Sequence, residues 1–250
     1  MTTTRSREKR TRALGVVIPV NNEERLLRAC LDALMHSMNH EALGSLFTHV
    51  VVVLDSCRDK SAFLAHQWKE HSSASTSFDV TIVDTNEENV GFARALGCEV
   101  LLEEMGEFDL DHVWLATTDA DSRVPAEWLA NQVRQHDLGA DAWAGRVAVT
   151  EWPLHRLVIA ASWQRAYDAE AHPIHGASFG VNARWYVDVG GFSPLRTSED
   201  RALYEALVAR GATVYYDATA PVNTSARRNA RAPEGFSAAL SRVKVRRVAI

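Results

Sequence analysis

Two acids with one small residue between them, Asp119 and Asp121, close an apolar run at 113–116 and stand four residues ahead of Pro125. Along an extended backbone, residues two apart project to the same side, so both carboxylates can face one target while Ala120 points away. Hard anionic oxygens in that arrangement suit a divalent cation, Mg²⁺ or Mn²⁺, and through it a diphosphate. The same residues also suit a plainer role, an acidic turn in which Asp121 or Ser122 caps the helix that Pro125 opens. A second acidic pair, Glu199 and Asp200, starts a helical stretch running to Arg210. As helix-start acids alone they would contribute a few tenths to about 1 kcal/mol. Between the pairs, residues 172–182 are rich in small side chains, where backbone can approach a ligand closely. His172 and His175 lie in this stretch, but three apart beside a proline they read as structural rather than metal-binding.

These residues need elements to position them. Residues 14–20 form a continuous apolar strand of the kind buried on both faces of a parallel sheet. They stop in a polar loop carrying Asn21 and Glu23, and Leu26, Leu27, Cys30, Leu31, Leu34 and Met38 then recur at helical spacing. The acids at 23 and 24 are expected in that helix's first turn, complementing its dipole. The pattern repeats with a strand at 49–54 ending in Asp55, a helix near 61–70, a strand at 79–83, and a helix opening at 91–97 that carries Arg94. The strand before Asp119 is fourth in the series, and 140–149 reads as a fifth. A helix over 152–171, a short helix over 183–189 ended by Gly190 and Gly191, a helix over 202–210 and a strand at 213–216 complete the chain. Alternating units of this kind predict an α/β fold, a mostly parallel central sheet flanked by helices in a single domain. The loops at the strands' carboxyl ends then share one edge, where ligands bind in open α/β sheets. That edge gathers Asn21, Glu23, Asp55, Arg94, Asp119 and Asp121 in one crevice.

Composition narrows the classes. A formal net charge of −5 with basic residues concentrated at the two ends gives no footprint for nucleic acid. Three scattered cysteines without C-x-x-C spacing indicate neither a disulfide framework nor a zinc knuckle and fit a reducing cytoplasm. No run approaches the length of a transmembrane segment. No G-x-G-x-x-G follows the first strand and no G-x-x-x-x-G-K-S/T occurs, which argues against a dinucleotide site or a P-loop. Residues 1–12 read as a disordered basic leader, 13–225 as the domain, and 226–250 as a basic segment suited to closing over a diphosphate as a lid. The basic ends also suit a peripheral contact with an anionic membrane surface.

Four stretches stand together in order: VIPVNNEE at 17–24, VVVLDSCRD at 51–59, TDAD at 118–121, and GGF at 190–192 with SEDR at 198–201. In these the chain resembles the family 2 glycosyltransferases of GT-A fold, over roughly residues 14–220. The resemblance implies that Pro19, Asn21 and Glu23 line a nucleoside pocket and that Asp55 hydrogen-bonds the nucleobase, as a carboxylate can accept from the ring N–H of uracil. Arg94 would meet the diphosphate as a planar cation suited to it, or else be a solvated helix residue. Asp119 would face the ribose or the metal, Asp121 would ligate the metal directly, and Gly176, Ala177 and Ser178 would lie under the donor's hexose. Asp200 would be the general base and Glu199 would orient either it or the acceptor.

The implied activity is transfer of a hexose from a nucleoside-diphosphate sugar, UDP-sugar favoured, to an acceptor hydroxyl, with inversion and with Mg²⁺ or Mn²⁺ on the diphosphate. Two other classes stay open: a nucleotidyltransferase, which would be expected to carry a basic glycine-rich loop after the first strand, and a non-catalytic nucleotide-sugar-binding protein. One departure from the family pattern stands out. Many relatives supply a histidine to the metal after the last strand, whereas 220–225 contains none, leaving Asn223, Thr224, Ser225 or water in its place.

Overall fold

A computed structural model describes residues 10–75, 78–149, 152, 157–170 and 172–225. Most of the leader and all of the basic segment 226–250 lie outside the described residues. The elements run β1 (Ala13–Val20), α1 (Leu27–Met38), β2 (Phe47–Asp55), α2 (Ser61–Ser75), β3 (Asp79–Thr85), α3 (Val90–Glu104), β4 (Val113–Thr117), α4 (Trp128–Asp137), β5 (Ala142–Ala148), α5 (Leu157–Asp168), β6 (Phe179–Asn182), α6 (Ala183–Asp188), α7 (Glu199–Ala209) and β7 (Val214–Asn223).

The strands form one sheet in the order β3-β2-β1-β4-β6-β5-β7. Its first four strands are parallel, as are β5 and β7, while β6 runs antiparallel to both β4 and β5. β1 is central and buried on both faces at every position but Pro19, which explains its unbroken apolar run. Pro19 can stand there because β4 pairs with β1 only as far as Val17. Its missing N–H lies on the β4 side, beyond the last rung, so no ladder bond is lost.

Two apolar layers sandwich the sheet. On one face α1, α2 and α4 pack through Leu27, Leu31, Leu34, Trp68, Trp128 and Leu129. On the other, α3, α6 and α7 pack through Ala93, Leu101, Tyr186, Leu203 and Leu207. α3 lies close against β1 and β2 because its contact residue is Gly97, where a Cβ would run into the side chains of Val17 and Val53. This close seat fixes how far Arg94, one turn earlier, projects beyond the sheet edge.

Two local expectations are corrected. The acids at 23 and 24 are not in the first turn of α1, which begins at Leu27 and holds no acid there; they occupy the preceding turn, where the carbonyl of Glu23 accepts from the amides of Leu26 and Leu27. The small-residue stretch ends in a strand, β6, that was not foreseen.

Candidate active site

The loops after β1, β2 and β4 and the loop before α7 meet at the carboxyl edge of the parallel strands. Four residues other than glycine have a left-handed backbone among the described residues: Asn22, Ser56, Glu88 and Ser198, with φ of 53°, 54°, 48° and 62°. All four lie in loops of this edge. Side chains in that region cost energy, and such conformations concentrate where structure is held for function.

The first two loops are stitched together. Asn21 Nδ2 donates to the Asp55 carbonyl at 2.7 Å, Asn22 Oδ1 accepts from the Arg58 amide at 2.7 Å, and the Glu23 amide donates to Ser61 Oγ at 2.7 Å. Pro19 and Asn21 are half-buried at the wall of the crevice, and Glu23 is buried. Asp55, 3% exposed, turns its carboxylate to the loop ahead of α3. Oδ1 accepts from the amides of Glu87 (3.0 Å) and Glu88 (2.9 Å) and from Ser56 Oγ, and Oδ2 accepts from the Asn89 amide (2.8 Å). Four donors match the capacity of a carboxylate. Asp55 as placed therefore anchors this loop and its left-handed Glu88, with three of the donors on Oδ1 and one on Oδ2.

Arg94 joins the two acidic pairs. Its side chain is 3% exposed and its guanidinium donates to Glu199 Oε1 with one nitrogen and to Asp119 Oδ1 with the other. It is neither solvated nor open to a diphosphate. Gly176 makes room for it, since a Cβ there would collide with the guanidinium, and Phe192 lies 5.9 Å from the guanidinium carbon. Burial works against the charge of Arg94, but Glu199, Asp119 and Asp200 more than offset it and hold the group cationic. Burial likewise pushes the Glu199 carboxyl up, to about 7; Arg94 opposes the shift and Asp200 adds to it. The attraction of one shared cation does not offset the cost of burying the Glu199 charge.

Asp200 is half-buried and held from two sides. Oδ2 accepts from the Gly176 amide at 2.6 Å and Oδ1 from the Arg201 amide at 2.7 Å. The Gly176 carbonyl in turn accepts from Thr117 Oγ1 at 2.7 Å, so the end of β4, residue 176 and the start of α7 form one chain of bonds. Ser178 behaves otherwise than expected. It is 1% exposed and its Oγ accepts from the Trp128 indole at 3.0 Å, so its side chain faces the interior. His175 packs against Tyr167 and is pushed down to about 4 by burial, with Arg146 adding to the shift, so it is a neutral interior residue.

Asp121 is half-buried. Ser122 Oγ lies 3.3 Å and Thr224 Oγ1 3.5 Å from its Oδ1, and the two hydroxyls are 3.0 Å apart. Thr224 arrives there because Arg123 and Asn223 exchange backbone hydrogen bonds at 2.7 and 3.0 Å, tying the turn to the end of β7. A hydroxyl thus stands beside Asp121, coming from the segment where many relatives place a histidine. Among the described residues no group of three or more histidine, cysteine, aspartate or glutamate side chains is placed to hold an ion. Asp121, Asp119 and the neighbouring hydroxyls are hard oxygen donors too few to complete a coordination shell, a set that fits a cation shared with a ligand's phosphates and water. Behind the turn, buried Cys30 donates to the Asp119 carbonyl at 3.3 Å. Neither Cys30 nor Thr117 carried a sequence signal for this site, because each sits inside an apolar pattern. No described helix is long and apolar enough to cross a membrane.

Residues 15–170 match the profile described as "Glycosyl transferase family 2". A comparison with curated proteins gave no significant match. Similar solved structures include residues 1–349 of S. aureus TarS, with 14% identity and a TM-score of 0.58 over 86% of this chain and 60% of that one. The mannosyltransferase PcManGT from Pyrobaculum calidifontis, in complex with GDP-Man and Mn²⁺, has 17% identity and a TM-score of 0.62 over 89% and 59%. Glucosyl-3-phosphoglycerate synthase from Mycobacterium tuberculosis, in complex with Mn²⁺, UDP and glucosyl-3-phosphoglycerate, has 15% identity and a TM-score of 0.57 over 93% and 80%. The chain spans about three fifths of the first two, and at these identities the likeness is one of fold.

Proposed function

The chain belongs to glycosyl transferase family 2 and has its GT-A fold, and from that premise we propose that it transfers a hexose from a nucleoside-diphosphate sugar to an acceptor hydroxyl with inversion. The observation that carries the reading is the meeting of two acidic pairs, some eighty residues apart in sequence, on one buried arginine. An acceptor hydroxyl bound beside Asp200 loses its proton to that carboxylate as its oxygen attacks the anomeric carbon. The new C–O bond forms on the face opposite the breaking bond to the diphosphate, and the nucleoside diphosphate leaves. The amides of Gly176 and Arg201 hold the base in one orientation, and Arg94 with Glu199 fixes its helix end against the Asp119 turn. Asp121 and Asp119 would hold Mg²⁺ or Mn²⁺, which when bound supplies positive charge to the leaving diphosphate. Pro19, Asn21 and Glu23 shape the nucleoside end.

Two of the similar structures carry GDP-Man and UDP respectively, each with Mn²⁺. The preference for a UDP-sugar rested on Asp55 reading uracil, and its carboxylate is engaged by the 87–89 loop, so both nucleotides belong in the test. The three cysteines are free thiols, in keeping with a cytoplasmic protein. Purified protein with Mn²⁺ or Mg²⁺ is expected to release nucleoside diphosphate from a UDP- or GDP-sugar. Asp200→Asn should bind the same donor and release none. Release of pyrophosphate from a nucleoside triphosphate would replace this reading with nucleotidyl transfer, and donor binding without turnover in the parent protein would replace it with a binding protein.

A further inference from the structure

One turn beyond Asp200 along α7, Tyr204 presents its hydroxyl 2.7 Å from that of Tyr216 on β7, and their rings meet edge-on with centroids 6.4 Å apart. The imidazole of His172 stacks on Tyr216 with ring centroids 3.9 Å apart. His172 is exposed, and both tyrosines are half-buried. Two links hold this cluster to the proposed base. Asp200 and Tyr204 are four apart on one helix, hence neighbours on the same face, about 6 Å along the axis. His172 is tied through a four-residue path to Gly176, whose amide donates to Asp200. The cluster therefore lies beside the helix end that carries the carboxylate.

Nothing in the fold requires this arrangement. Tyr204 and Tyr216 pack at the margin of the layer under α7, but His172 adds a ring on top that is exposed among the described residues. One phenol donates to the other, and burial, with the Tyr204 contact adding to it, pushes the Tyr216 hydroxyl up to about 12. The result is a flat ring face beside uncharged hydroxyls that can donate and accept. The aliphatic C–H face of a pyranose packs on an aromatic face, and its hydroxyls need such partners. A lipid chain would offer no partner to the remaining donor and acceptor positions of the bridged phenols, and an anionic acceptor would meet the carboxylates of Glu199 and Asp200.

We propose that His172, Tyr204 and Tyr216 form an acceptor subsite, in which an uncharged sugar ring stacks on His172 and presents its hydroxyl to Asp200. The placement of that hydroxyl rests on the transferase reading; the stacking itself does not. Two measurements separate them. In the first, methyl β-glucoside, methyl α-mannoside and cellobiose are titrated into the full-length protein and the imidazole C–H resonances of His172 are followed by NMR. A saturable shift by at least one of them, lost in Tyr216→Leu, is expected; no shift by any at about 100 mM, well into the range of weak single-ring binding, overturns the subsite. In the second, any of these sugars that accepts hexose is used for kinetics. His172→Ala and Tyr216→Leu should each raise its KM about five- to tenfold, the scale of one lost ring contact, with the rise in the acceptor KM and none in the donor KM. Phe63→Ala, on the exposed side of α2, should move neither. A rise in donor KM alone, or a loss of transfer to ring-free glycerol in His172→Ala as large as the loss with the sugar, overturns the subsite. If His172 shifts with sugar but no nucleotide sugar is turned over, the stacking site stands and the transferase reading falls.

Discussion

At the scale of single residues, Arg94 ties the Asp119 turn to the start of α7. A guanidinium at 3% exposure is stable there only because carboxylates face it on both sides. Asp119, with 39% of its side chain exposed, is the end of this bridge that a ligand can reach; Glu199, at 5%, is the end that cannot. The elevated Glu199 carboxyl has a consequence for stability. An unfolded glutamate titrates near 4.5, and this one near 7, so between those values the folded state binds the extra proton. The stabilisation is full below pH 4.5 and is lost as pH rises through 7. In Glu199→Gln the neutral amide can still accept from Arg94, and this slope should vanish. Urea unfolding at pH 5, 6, 7 and 8 should show the variant gaining stability relative to the parent as pH rises. Parallel profiles would mean that Glu199 is already ionised at pH 5.

At the scale of elements, α3 is the part whose position matters most, since it carries Arg94 to the sheet edge. An exposed helix gains about 1 kcal/mol when glycine becomes alanine. At Gly97 the sign should reverse, because the added methyl meets Val17 and Val53 and overpacking of this kind costs about 1–3 kcal/mol. Gly97→Ala should therefore lower the urea midpoint and, by lifting α3, lower donor turnover as well. A midpoint at or above the parent's would show that the interface yields freely. Much of this scaffold was legible beforehand. The apolar runs of β1, β2 and β4 are buried on both faces and show up as unbroken hydrophobic strings, and their order placed the loops correctly at one edge. β6 was not legible for a physical reason. It is four residues long, too short for a period to emerge, and its Gly180 is required where Trp114 and Gln132 cross, so it looks like a flexible stretch. What defines it is Asn182, whose Nδ2 lies 3.1–3.2 Å from the carbonyls of Leu110, Asp111 and Val113 and whose Oδ1 caps α6. Partners seventy residues away leave no local pattern. The site divides in the same way: the acids were visible as motifs, whereas the engagement of Asp55 with a loop, of Ser178 with Trp128 and of Arg94 with Glu199 depends on packing between distant segments.

At the scale of the whole molecule, the crevice is an open half-site that a ligand must complete. In the proposed site Asp119 and Asp121 would hold the cation, and Asp119 already shares its charge with Arg94. Hydroxyls from Ser122 and Thr224 fill in around the other. Such a set holds Mg²⁺ or Mn²⁺ weakly alone and better when phosphate oxygens complete the shell, and a nucleoside diphosphate faces two acids unless a cation is present. Each ligand then raises the affinity of the other by the same factor, as linkage requires. Because ligands that bind the folded state raise its melting temperature, the coupling can be read without any assay of transfer. Mn²⁺ alone is expected to shift Tm little, UDP or GDP alone little, and the two together by clearly more than the sum. Asp121→Asn should reduce the combined shift to that sum while leaving the ligand-free Tm near the parent's, since an amide oxygen can still accept from the hydroxyls of Ser122 and Thr224. A full shift with Mn²⁺ alone would reveal a resident ion with ligands beyond these residues, and a full shift with nucleotide alone would make the cation dispensable for binding.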